Sequence, residues 1–397
     1  MKIVDSQIDR AEADLRREFA GSMFVIAAGH FDFFGGAERQ AILLARELIQ
    51  RYDCRVHFLG WGGDGVLADH ARSIGAVPVV FPLDISQRGW RQKKDLLRLA
   101  YFIRTRLRPD YLLPFVGIHC KIVGSIWKLT GARFCWWNQR DEGRRIYGTR
   151  TEFRLLNSLP SIVSNSFEGR DFLVQKFKLP SERVRVINNG VELPSVSDGG
   201  RWRAQLKLSE NDLLFSMIAN LTHFKDHVTL LKAFATVREN EFGSRCRLVL
   251  AGRHDDTAQA LKALAFDLGL SGSVYMPGAI ADTDQLLEAS DVVVHSSVME
   301  GCPNAVLEAM AHGRCVLGTD ISGIRQALGE DSEEFLVAPG NHESLAQQML
   351  RLGKSPEQRR LAGMRNRERI RTNFSIERMC REVLATVSAC RLGTSIR

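Results

Sequence analysis

The chain has 397 residues, 45% of them hydrophobic and 25% charged, with a formal net charge of +8. A chain of this length is too long to form a single domain around one hydrophobic core. It fits two domains with a cleft between them. No stretch approaches the ~18 to 20 apolar residues of a membrane span, and charges stand where a signal peptide needs apolar residues. We therefore expect a cytoplasmic protein that neither spans a membrane nor is secreted.

The first half of the chain alternates strand-like and helix-like patterns. Residues 1–20 space Ile8, Leu15 and Phe19 among charges, which predicts a short amphipathic extension. Residues 21–195 then carry alternating strands and helices, which are typical of a doubly wound parallel sheet. The predicted elements are strands at Met23–Ala28, Cys54–Leu59, Val77–Phe81 and Tyr111–Val116, with helices at Gly36–Arg51 and Val66–Ile74 and a basic helix before the last strand.

The basic helix runs from Arg88 to Arg108 and contains eight basic residues and one acid, Asp95. Residues 1–195 contain 30 Lys and Arg against 21 Asp and Glu, whereas the remainder contains 24 against 25. Two interpretations stay open: a solvated helix face over a sheet, or a surface for an anionic membrane or lipid phosphate. Nucleic acid is not expected as a partner, because no stacking aromatic residues or nucleic-acid module accompany the charge.

The second half repeats the alternation. A segment rich in turn-forming residues, 194–200, places the domain boundary between residues 195 and 196. Residues 196–375 are predicted to form a second Rossmann-like domain, and residues 376–397 a terminal helix that crosses back to the first. The predicted strands there are Leu213–Ala219, Arg247–Ala251, Val274–Pro277, Val292–His295 and Cys315–Thr319.

The most informative segment runs from Glu300 to Glu308, between an apolar strand and a helix. A strand that ends in a Gly/Pro turn and opens a helix points free backbone N–H groups at one place, which suits phosphate. One carboxylate then lies in the turn and the other in the helix's first two turns, which is the layout of a nucleotide-sugar site. The alternative is that both acids only stabilise the helix N-terminus.

Two further loops follow first strands. Gly35 and Gly36 follow the first strand of the chain, where glycine lets the backbone approach a phosphate or sugar. Asn220 to Lys225 follow the first strand of the second domain, where lysine supplies a point charge for a diphosphate. Three loops of these types, at matching positions in two lobes, are much less likely to arise by chance than any one of them alone.

In order and spacing these segments resemble the retaining glycosyltransferases of family 4, which have the two-lobed GT-B fold. The resemblance covers roughly residues 22–390. It rests on Gly35–Glu38, Pro109-Asp110, Gln139-Arg140, Ser164–Ser166, Val186–Val191, Lys225, Glu300–Glu308, Ala309–Gly313, Gly323–Arg325 and Asn373–Ser375.

The resemblance implies a role for each matching position. Glu308 would hold the donor ribose, Glu300 would contact the transferred sugar near its reacting carbon, and Lys225 would neutralise the leaving diphosphate. Gly35 and Gly36 would line the floor of the cleft, near the phosphate and the acceptor. The turn and helix start would complete the donor site with Gly301, Pro303, Asn304 and Ala305.

The chain departs from the family pattern near the lysine. Asn220 stands where the family often has arginine, and Asp226 where glycine commonly follows the lysine. One positive charge is therefore missing from the donor site, and Arg253 is a candidate to replace it. On the acceptor side the candidates are His119, Arg140 and Asp141.

Three patterns are assigned to ordinary structure. Asp282-Thr283-Asp284 has the form of an Asp-x-Asp metal motif, but it stands where a helix begins and is predicted to cap it. Gly60 to Gly65 matches a dinucleotide fingerprint but follows the second strand. Cys302 lacks an evident base, and all eight cysteines are interpreted as buried thiols. Neither a metal nor a cofactor is expected.

The resemblance implies a metal-independent, retaining transferase that moves a sugar from a nucleoside-diphosphate donor to a glycan or polyprenyl-linked acceptor. Bacterial surface polysaccharide or lipopolysaccharide synthesis is the expected setting, with peripheral contact at the cytoplasmic face of the inner membrane. Two alternatives stay open: a sugar-nucleotide epimerase or phosphorylase of the same architecture, and a binding scaffold that has lost activity, which Asn220 motivates.

Overall fold

The computed structural model describes residues 2–32, 34–84, 86, 89–141, 143, 146–194 and 199–392. The chain divides into two compact units. The N-terminal unit comprises Met1–Gly190 together with Ile376–Arg397, and the C-terminal unit comprises Val191–Ser375. The division between the units thus falls five residues before the boundary expected from the turn-rich segment.

The N-terminal unit is built on a seven-stranded sheet in which each strand pairs in parallel with its neighbours. The spatial order is β3-β2-β1-β4-β5-β6-β7. All five side chains of the first strand are buried, because helices cover both faces of the sheet. The strands are β1 Met23–Ala27, β2 Arg55–Gly60, β3 Val77–Val80, β4 Tyr111–Pro114, β5 Phe134–Gln139, β6 Ser161–Ser164 and β7 Val184–Val186.

The helices of this unit include both ends of the described chain. The fourth helix continues as a π-helical turn, Ile103–Leu107, and short 3-10 turns lie at Trp127–Leu129 and Ser181–Arg183. The α-helices are α1 Lys2–Phe19, α2 Gly36–Gln50, α3 Val66–Ser73, α4 Gly89–Phe102, α5 Gly117–Ile126, α6 Arg150–Ser158, α7 Phe167–Phe177 and, at the C-terminus, α16 Ile376–Leu392.

The first helix is part of this unit's core. Phe19 at its end is fully buried, and its ring centroid lies 5.4 Å from that of Tyr111 in β4. Glu18 accepts a hydrogen bond from Ser388 of α16 at 2.8 Å, and Glu12 pairs with Arg51 at 2.7 Å. The predicted amphipathic helix therefore exists and packs against the fold.

The C-terminal unit has a six-stranded parallel sheet in the order β10-β9-β8-β11-β12-β13. Its strands are β8 Leu213–Ile218, β9 Cys246–Ala251, β10 Val274–Gly278, β11 Val292–His295, β12 Cys315–Thr319 and β13 Leu336–Val337. Its α-helices are α8 Gly200–Gln205, α9 His227–Glu239, α10 Ala258–Asp267, α11 Thr283–Ala289, α12 Asn304–Ala311, α13 Ser322–Leu328, α14 His342–Lys354 and α15 Pro356–Asn373. The prediction of two doubly wound parallel-sheet domains is confirmed.

Strand order places one topological switch point in each sheet. It lies between β1 and β4 in the N-terminal unit and between β8 and β11 in the C-terminal unit. Open α/β sheets bind ligands beyond the carboxyl ends of the strands at such points. The loops after β8 and β11 carry Lys225 and Glu300, so both residues flank the same switch point.

The described residues bear on two expectations from the sequence, one about membrane-spanning helices and one about the burial of the cysteines. Within these ranges no helix combines the length and the apolar character needed to cross a bilayer. The eight cysteines are free thiols, and six of them are buried. Cys302 is only half-buried and Cys390 is exposed, so the expectation that all are buried is wrong for these two.

Candidate functional site

The loops after β8 and β11 are joined by hydrogen bonds. The Ser296 hydroxyl donates to the carbonyl oxygens of Lys225 at 3.2 Å and Asp226 at 3.0 Å. The Val298 N–H donates to the Phe224 carbonyl at 2.9 Å. Two segments distant in sequence therefore form one fixed surface at the switch point.

Close backbone packing underneath requires glycine at two positions. A Cβ on Gly323, in α13, would lie 2.2 Å from the Gly301 carbonyl oxygen and 2.5 Å from that of Glu300. A Cβ on Gly252, just after β9, would lie 2.0 Å from the Ala219 carbonyl oxygen. These distances are far shorter than van der Waals contact. Only glycine therefore lets α13 pack against the Glu300 loop and the segment after β9 pack against the end of β8.

The Glu300 carboxylate is held by three donors. Its Oε1 accepts hydrogen bonds from His295 Nε2 at 2.8 Å and from the Ser297 hydroxyl at 2.8 Å, and it also pairs with Lys225 Nζ. Glu300 is only 8% exposed. The carboxylate is consequently fixed in position by groups from both loops.

Burial and charge act in opposite directions on this cluster. Burial alone would raise the pKa of Glu300, but the Lys225 charge and the His295 hydrogen bond outweigh it and hold that pKa well below its usual range. Burial lowers the pKa of His295 more than Glu300 raises it. For His227, burial together with His295 and Lys225 lowers the pKa to about 4. Both histidines are therefore neutral near pH 7 and add no positive charge beside the Lys225–Glu300 ion pair.

Helix α12 begins beside this cluster. Pro303 is its N-cap residue, and Asn304 and Ala305 are its first two helical residues. Glu308 lies in the second turn and is 9% exposed. The predicted geometry, with one carboxylate in the turn and the other in the helix, is what the structure has. The assigned roles, including those of Gly301, Pro303, Asn304 and Ala305, stay predictions.

The two departures from the family pattern have different local explanations. The Asn220 side-chain oxygen accepts the Arg253 N–H at 3.2 Å, so it ties two loops together. Asp226 has a left-handed backbone, φ 44°, and its side chain caps α9 by accepting the Thr229 N–H at 3.3 Å. Asp226 thus meets the backbone demand that glycine would otherwise satisfy.

The predicted substitute for the missing arginine is already engaged. The Arg253 guanidinium binds the Asp255 carboxylate through Nε at 3.0 Å and Nη2 at 3.2 Å. Its charge is therefore compensated locally in this structure. A role for Arg253 in the donor site stays a prediction, and it requires this bidentate pair to be shared or broken.

In the N-terminal unit, Gly35 and Gly36 open α2. Gly35 is the N-cap residue, and its N–H donates to Glu38 Oε2 at 3.2 Å. Glu38 is buried, and burial raises the pKa of its carboxyl above the ordinary value. The carboxyl of Glu38 therefore already binds one N–H of the predicted phosphate and acceptor loop.

His119 lies in the interior of the N-terminal unit. It is 2% exposed, its Nε2 accepts the Gly29 N–H at 3.1 Å, and its ring stacks on Trp61 with centroids 5.2 Å apart. Burial lowers the pKa of His119 to about 3, so the ring is neutral near pH 7. The hydrogen bond joins the loop after β1 to the first turn of α5, the helix that follows β4, across the switch point of this sheet.

The other two acceptor candidates hold the loop after β5. Arg140 Nη2 donates to the Asn189 side-chain oxygen at 2.7 Å, and the guanidinium lies 5.2 Å from the Phe115 ring centroid. Asp141 Oδ1 accepts hydrogen bonds from the Gln139 amide at 2.6 Å and the Gly143 N–H at 2.9 Å. Both side chains thus have structural partners, and their acceptor roles stay predictions.

The patterns assigned to ordinary structure also have local partners. Asp282 is the N-cap residue of α11, but its carboxylate accepts the Trp202 indole N–H at 3.0 Å and makes no side-chain capping bond, so that expectation is corrected. A Cβ on Gly65 would lie 2.5 Å from the Phe31 carbonyl oxygen, which makes this glycine a packing requirement. Across the described ranges, no three His, Cys, Asp or Glu side chains are grouped as a metal site.

Sequence reasoning missed His295 and Ser297 as partners of Glu300. They precede it by five and three residues, in the stretch where β11 ends and the loop begins. Polar residues that close an otherwise apolar strand at a sheet's carboxyl edge are the signal that would have found them.

Both halves of the chain match glycosyltransferase family models. Residues 34–194 match the family model described as Glycosyltransferase Family 4, and residues 199–369 match that described as Glycosyl transferases group 1. The structure of Anabaena Alr3699/HepE in complex with UDP and glucose superposes with a TM-score of 0.80 at 19% identity, over 93% of this chain and 100% of that one.

Two curated relatives match over shorter segments. Putative glycosyltransferase EpsD of Bacillus subtilis (strain 168) is 30% identical over 56% of this chain and 55% of its own length. The UDP-Gal:alpha-D-GlcNAc-diphosphoundecaprenol alpha-1,3-galactosyltransferase of Escherichia coli is 24% identical over 47% and 49% respectively. The chain thus spans about half the length of these relatives. Because the two family models together match most of it, this chain belongs to glycosyltransferase family 4, the glycosyl transferases group 1, and has the GT-B fold.

Proposed function

We propose that this protein is a retaining glycosyltransferase that moves a sugar from a nucleoside-diphosphate donor to a glycan or lipid-linked saccharide acceptor. The observation that carries the proposal is the Lys225–Glu300 ion pair at the switch point of the C-terminal sheet, beside the first turn of α12. A cation, a fixed carboxylate and a helix N-terminus together suit a sugar attached to a diphosphate.

The proposed mechanism is one of charge stabilisation. As the bond to the sugar breaks, negative charge grows on the leaving phosphate, and Lys225 with the α12 N-terminus stabilises that charge. Glu308 holds the donor ribose, and Glu300 orients the sugar near its reacting carbon. The acceptor hydroxyl attacks from the face of the leaving group, and the departing phosphate takes its proton. In this scheme the chain's own groups supply the positive charge.

The acceptor class is inferred from relatives. The name of the Escherichia coli relative describes transfer of galactose onto a diphosphoundecaprenol-linked sugar, and the HepE structure contains UDP and glucose. We extend this to a polyprenyl-linked or glycan acceptor of bacterial surface polysaccharide or lipopolysaccharide synthesis. No cofactor or metal takes part in the proposed reaction.

A two-stage experiment tests the function. A thermal-shift screen against UDP-, GDP-, ADP- and dTDP-sugars identifies the donor, and incubation with that donor and lipid-linked saccharides is followed by mass spectrometry of the products. Glycoside with retained anomeric configuration supports the proposal. Epimerised donor without any acceptor requirement would identify an epimerase instead. Nucleotide binding without turnover on any acceptor would identify a scaffold.

We also propose peripheral contact with an anionic membrane through α4 and the turn that follows it. Trp90, Leu97 and Tyr101 are 69%, 60% and 71% exposed. Their spacing places them along one side of a helix. They line a groove of about 690 Å³ whose walls also include Phe81, Lys93, Lys94, Arg98, Phe102, Thr105 and Arg106. Apolar and aromatic residues flanked by Lys and Arg are what an interfacial helix presents to anionic lipid.

Vesicle sedimentation tests this contact. The protein should bind vesicles that contain phosphatidylglycerol, bind phosphatidylcholine vesicles weakly, and be released by salt. The triple variant Trp90→Ser/Leu97→Ser/Tyr101→Ser should no longer bind these vesicles. Serine at Leu361 and Met364, which are 52% and 59% exposed on α15, is the matched control and should leave binding unchanged. Equal binding by both variants would refute the assignment.

A further inference from the structure

Lys225 has two competing partners once the proposed function is accepted, and this inference rests on that function. In the structure its ammonium pairs with Glu300. In the proposed reaction the same ammonium binds the leaving diphosphate. With asparagine at position 220, the loop after β8 offers no arginine there to share the task.

Transfer of Lys225 to the diphosphate changes the surroundings of Glu300. Glu300 is 8% exposed, and its carboxylate would lose its charged partner just as an anionic ligand arrives. A buried carboxylate without compensation is strongly disfavoured, so it would take up a proton or move. Either outcome would remove the fixed anion beside the reacting sugar.

His295 and Ser297 offer a way around this conflict. Both donate to the same oxygen, Glu300 Oε1, at 2.8 Å, and neither depends on Lys225. Hydrogen bonds to an ionised acceptor are stronger than those between neutral groups. They can therefore retain the carboxylate after the ion pair has opened.

The backbone fixes these two donors more firmly than it fixes Lys225. His295 is the last residue of β11, is 1% exposed, and is in register with Gly318 of β12. The Thr319 hydroxyl donates to the Ser297 carbonyl at 2.5 Å and to the His295 carbonyl at 3.4 Å. Lys225, in contrast, is the last residue of a three-residue 3-10 turn. Its ammonium is attached to a long, flexible side chain that can adopt many rotamers.

We propose that the Lys225–Glu300 ion pair is a resting contact which donor binding opens, and that His295 is the positioning residue which holds the Glu300 carboxylate while Lys225 binds the diphosphate. Ser297 assists it. The two residues thereby let one lysine serve two sites in sequence. His295 acts through Glu300 and does not itself touch the substrate.

A double-mutant cycle on nucleotide affinity tests this without any need for an acceptor. Isothermal calorimetry with UDP, GDP, ADP and dTDP measures the dissociation constant for wild type, His295→Leu, His295→Gln, Glu300→Gln and the double variant His295→Leu/Glu300→Gln. His295→Leu should weaken binding about tenfold, because Glu300 then depends on Lys225 and retains it. His295→Gln keeps a donor near the position of Nε2 and should stay within about threefold of wild type.

The Glu300→Gln background separates positioning from a purely structural role. Glu300→Gln alone should tighten nucleotide binding, because it releases Lys225. In the Glu300→Gln background, His295→Leu should not change the nucleotide affinity further. A tenfold effect in wild type and none in this background correspond to a coupling free energy of about 1.4 kcal/mol between positions 295 and 300. Ser297→Ala should behave in the same way with a smaller effect, about threefold, and it provides the cycle should His295→Leu fail to fold.

The outcomes distinguish this inference from the proposed function. Equal weakening by His295→Leu with and without Glu300→Gln would mean that the histidine only supports the fold, and the inference would be overturned. Unchanged affinity in both His295→Leu and Ser297→Ala would also overturn it while leaving the function intact. A wild-type protein that binds none of the four nucleotides would refute the proposed function itself, and this inference with it.

Discussion

Lys225 and Glu300 form an ion pair across the switch point of the C-terminal sheet, although 75 positions separate them in sequence. The pair exists because β8 and β11 are neighbours in the sheet, so the loops that follow them meet at one edge. Ser296 then fixes the two loops together. The charge arrangement expected of a donor site therefore results from strand order.

Removal of the Glu308 carboxylate should weaken nucleotide binding. If Glu308 holds the ribose, Glu308→Ala loses hydrogen bonds to a charged acceptor, and affinity should fall roughly tenfold or more. Calorimetry with the donor nucleotide measures this. Glu343→Ala, at an exposed site in the first turn of α14, is the control. An unchanged affinity in Glu308→Ala would contradict the ribose contact.

Loss of the Lys225 ammonium should reduce turnover. Lys225→Met keeps most of the side-chain volume but leaves the departing phosphate without its cation, and kcat should fall on the order of 100-fold. Steady-state kinetics at saturating donor provide the measurement. Lys232→Met, in the neighbouring helix α9, is the comparison variant. Turnover within a factor of about three of wild type would show that Lys225 does not stabilise the leaving group.

Chelation should leave transfer activity largely intact. Lys225 and the α12 N-terminus are proposed to supply the positive charge that a divalent ion would otherwise provide. Initial rates before and after EDTA treatment, with and without added Mg²⁺ or Mn²⁺, provide the measurement. Complete loss that the metal restores would overturn the metal-independent mechanism.

A side chain at Gly323 should destabilise the C-terminal unit and disturb the Glu300 loop. The Cβ of Gly323→Ala would collide with the carbonyl oxygens of Glu300 and Gly301 at 2.5 and 2.2 Å. Forced repacking of this kind costs about 1 to 3 kcal/mol. Urea denaturation measures the free energy of unfolding. Gly63→Ala, where no atom lies within 4 Å of the added Cβ, should be close to neutral.

Because of buried His119, the free energy of unfolding should fall as the pH drops into the mildly acidic range. Burial depresses its pKa to about 3 in the folded state, so the unfolded chain binds the extra proton between the ordinary value of 6.5 and about 3. Stability contributed by the neutral ring is thus present above pH 6.5 and falls as the pH drops through this window. From pH 7.5 to 5 the loss should be about 2 kcal/mol.

Denaturation of His119→Gln at both pH values isolates this contribution. The variant retains a side-chain oxygen as a candidate acceptor for the Gly29 N–H but cannot titrate, so its stability should decline less than that of wild type between pH 7.5 and 5. His70→Gln, at an exposed position of α3, should decline as wild type does. An identical decline in His119→Gln and wild type would show that His119 does not contribute.

Periodicity alone is enough to predict much of this fold. Leu213–Ala219 is predicted as a strand and β8 covers Leu213–Ile218, because an apolar run between turn signals has few other stable conformations. The turn position of Glu300 and the helical position of Glu308 follow in the same way from a local Gly/Pro turn. These features depend on residues close together in the chain.

The partners of those residues depend on tertiary contacts. Arg253 is available as a donor-site cation in the sequence, yet Asp255 binds it in the fold. Asp282 stands at a helix start but accepts a bond from Trp202, 80 positions away. His119 is a candidate acceptor residue in the sequence, whereas in the fold it is buried and its Nε2 accepts the Gly29 N–H, so its acceptor role stays a prediction.

The amino-acid sequence is enough to predict two parallel α/β domains, the family resemblance and the positions of the two carboxylates, because hydrophobic period, turn chemistry and helix starts are local properties. The convergence of Lys225, His295 and Ser297 on one oxygen of Glu300 is visible only in the folded chain. That convergence depends on which strands are neighbours and on how closely Gly252 and Gly323 let the backbones approach. Strand adjacency and packing distance are properties of the folded chain, and spacing along the sequence does not contain them.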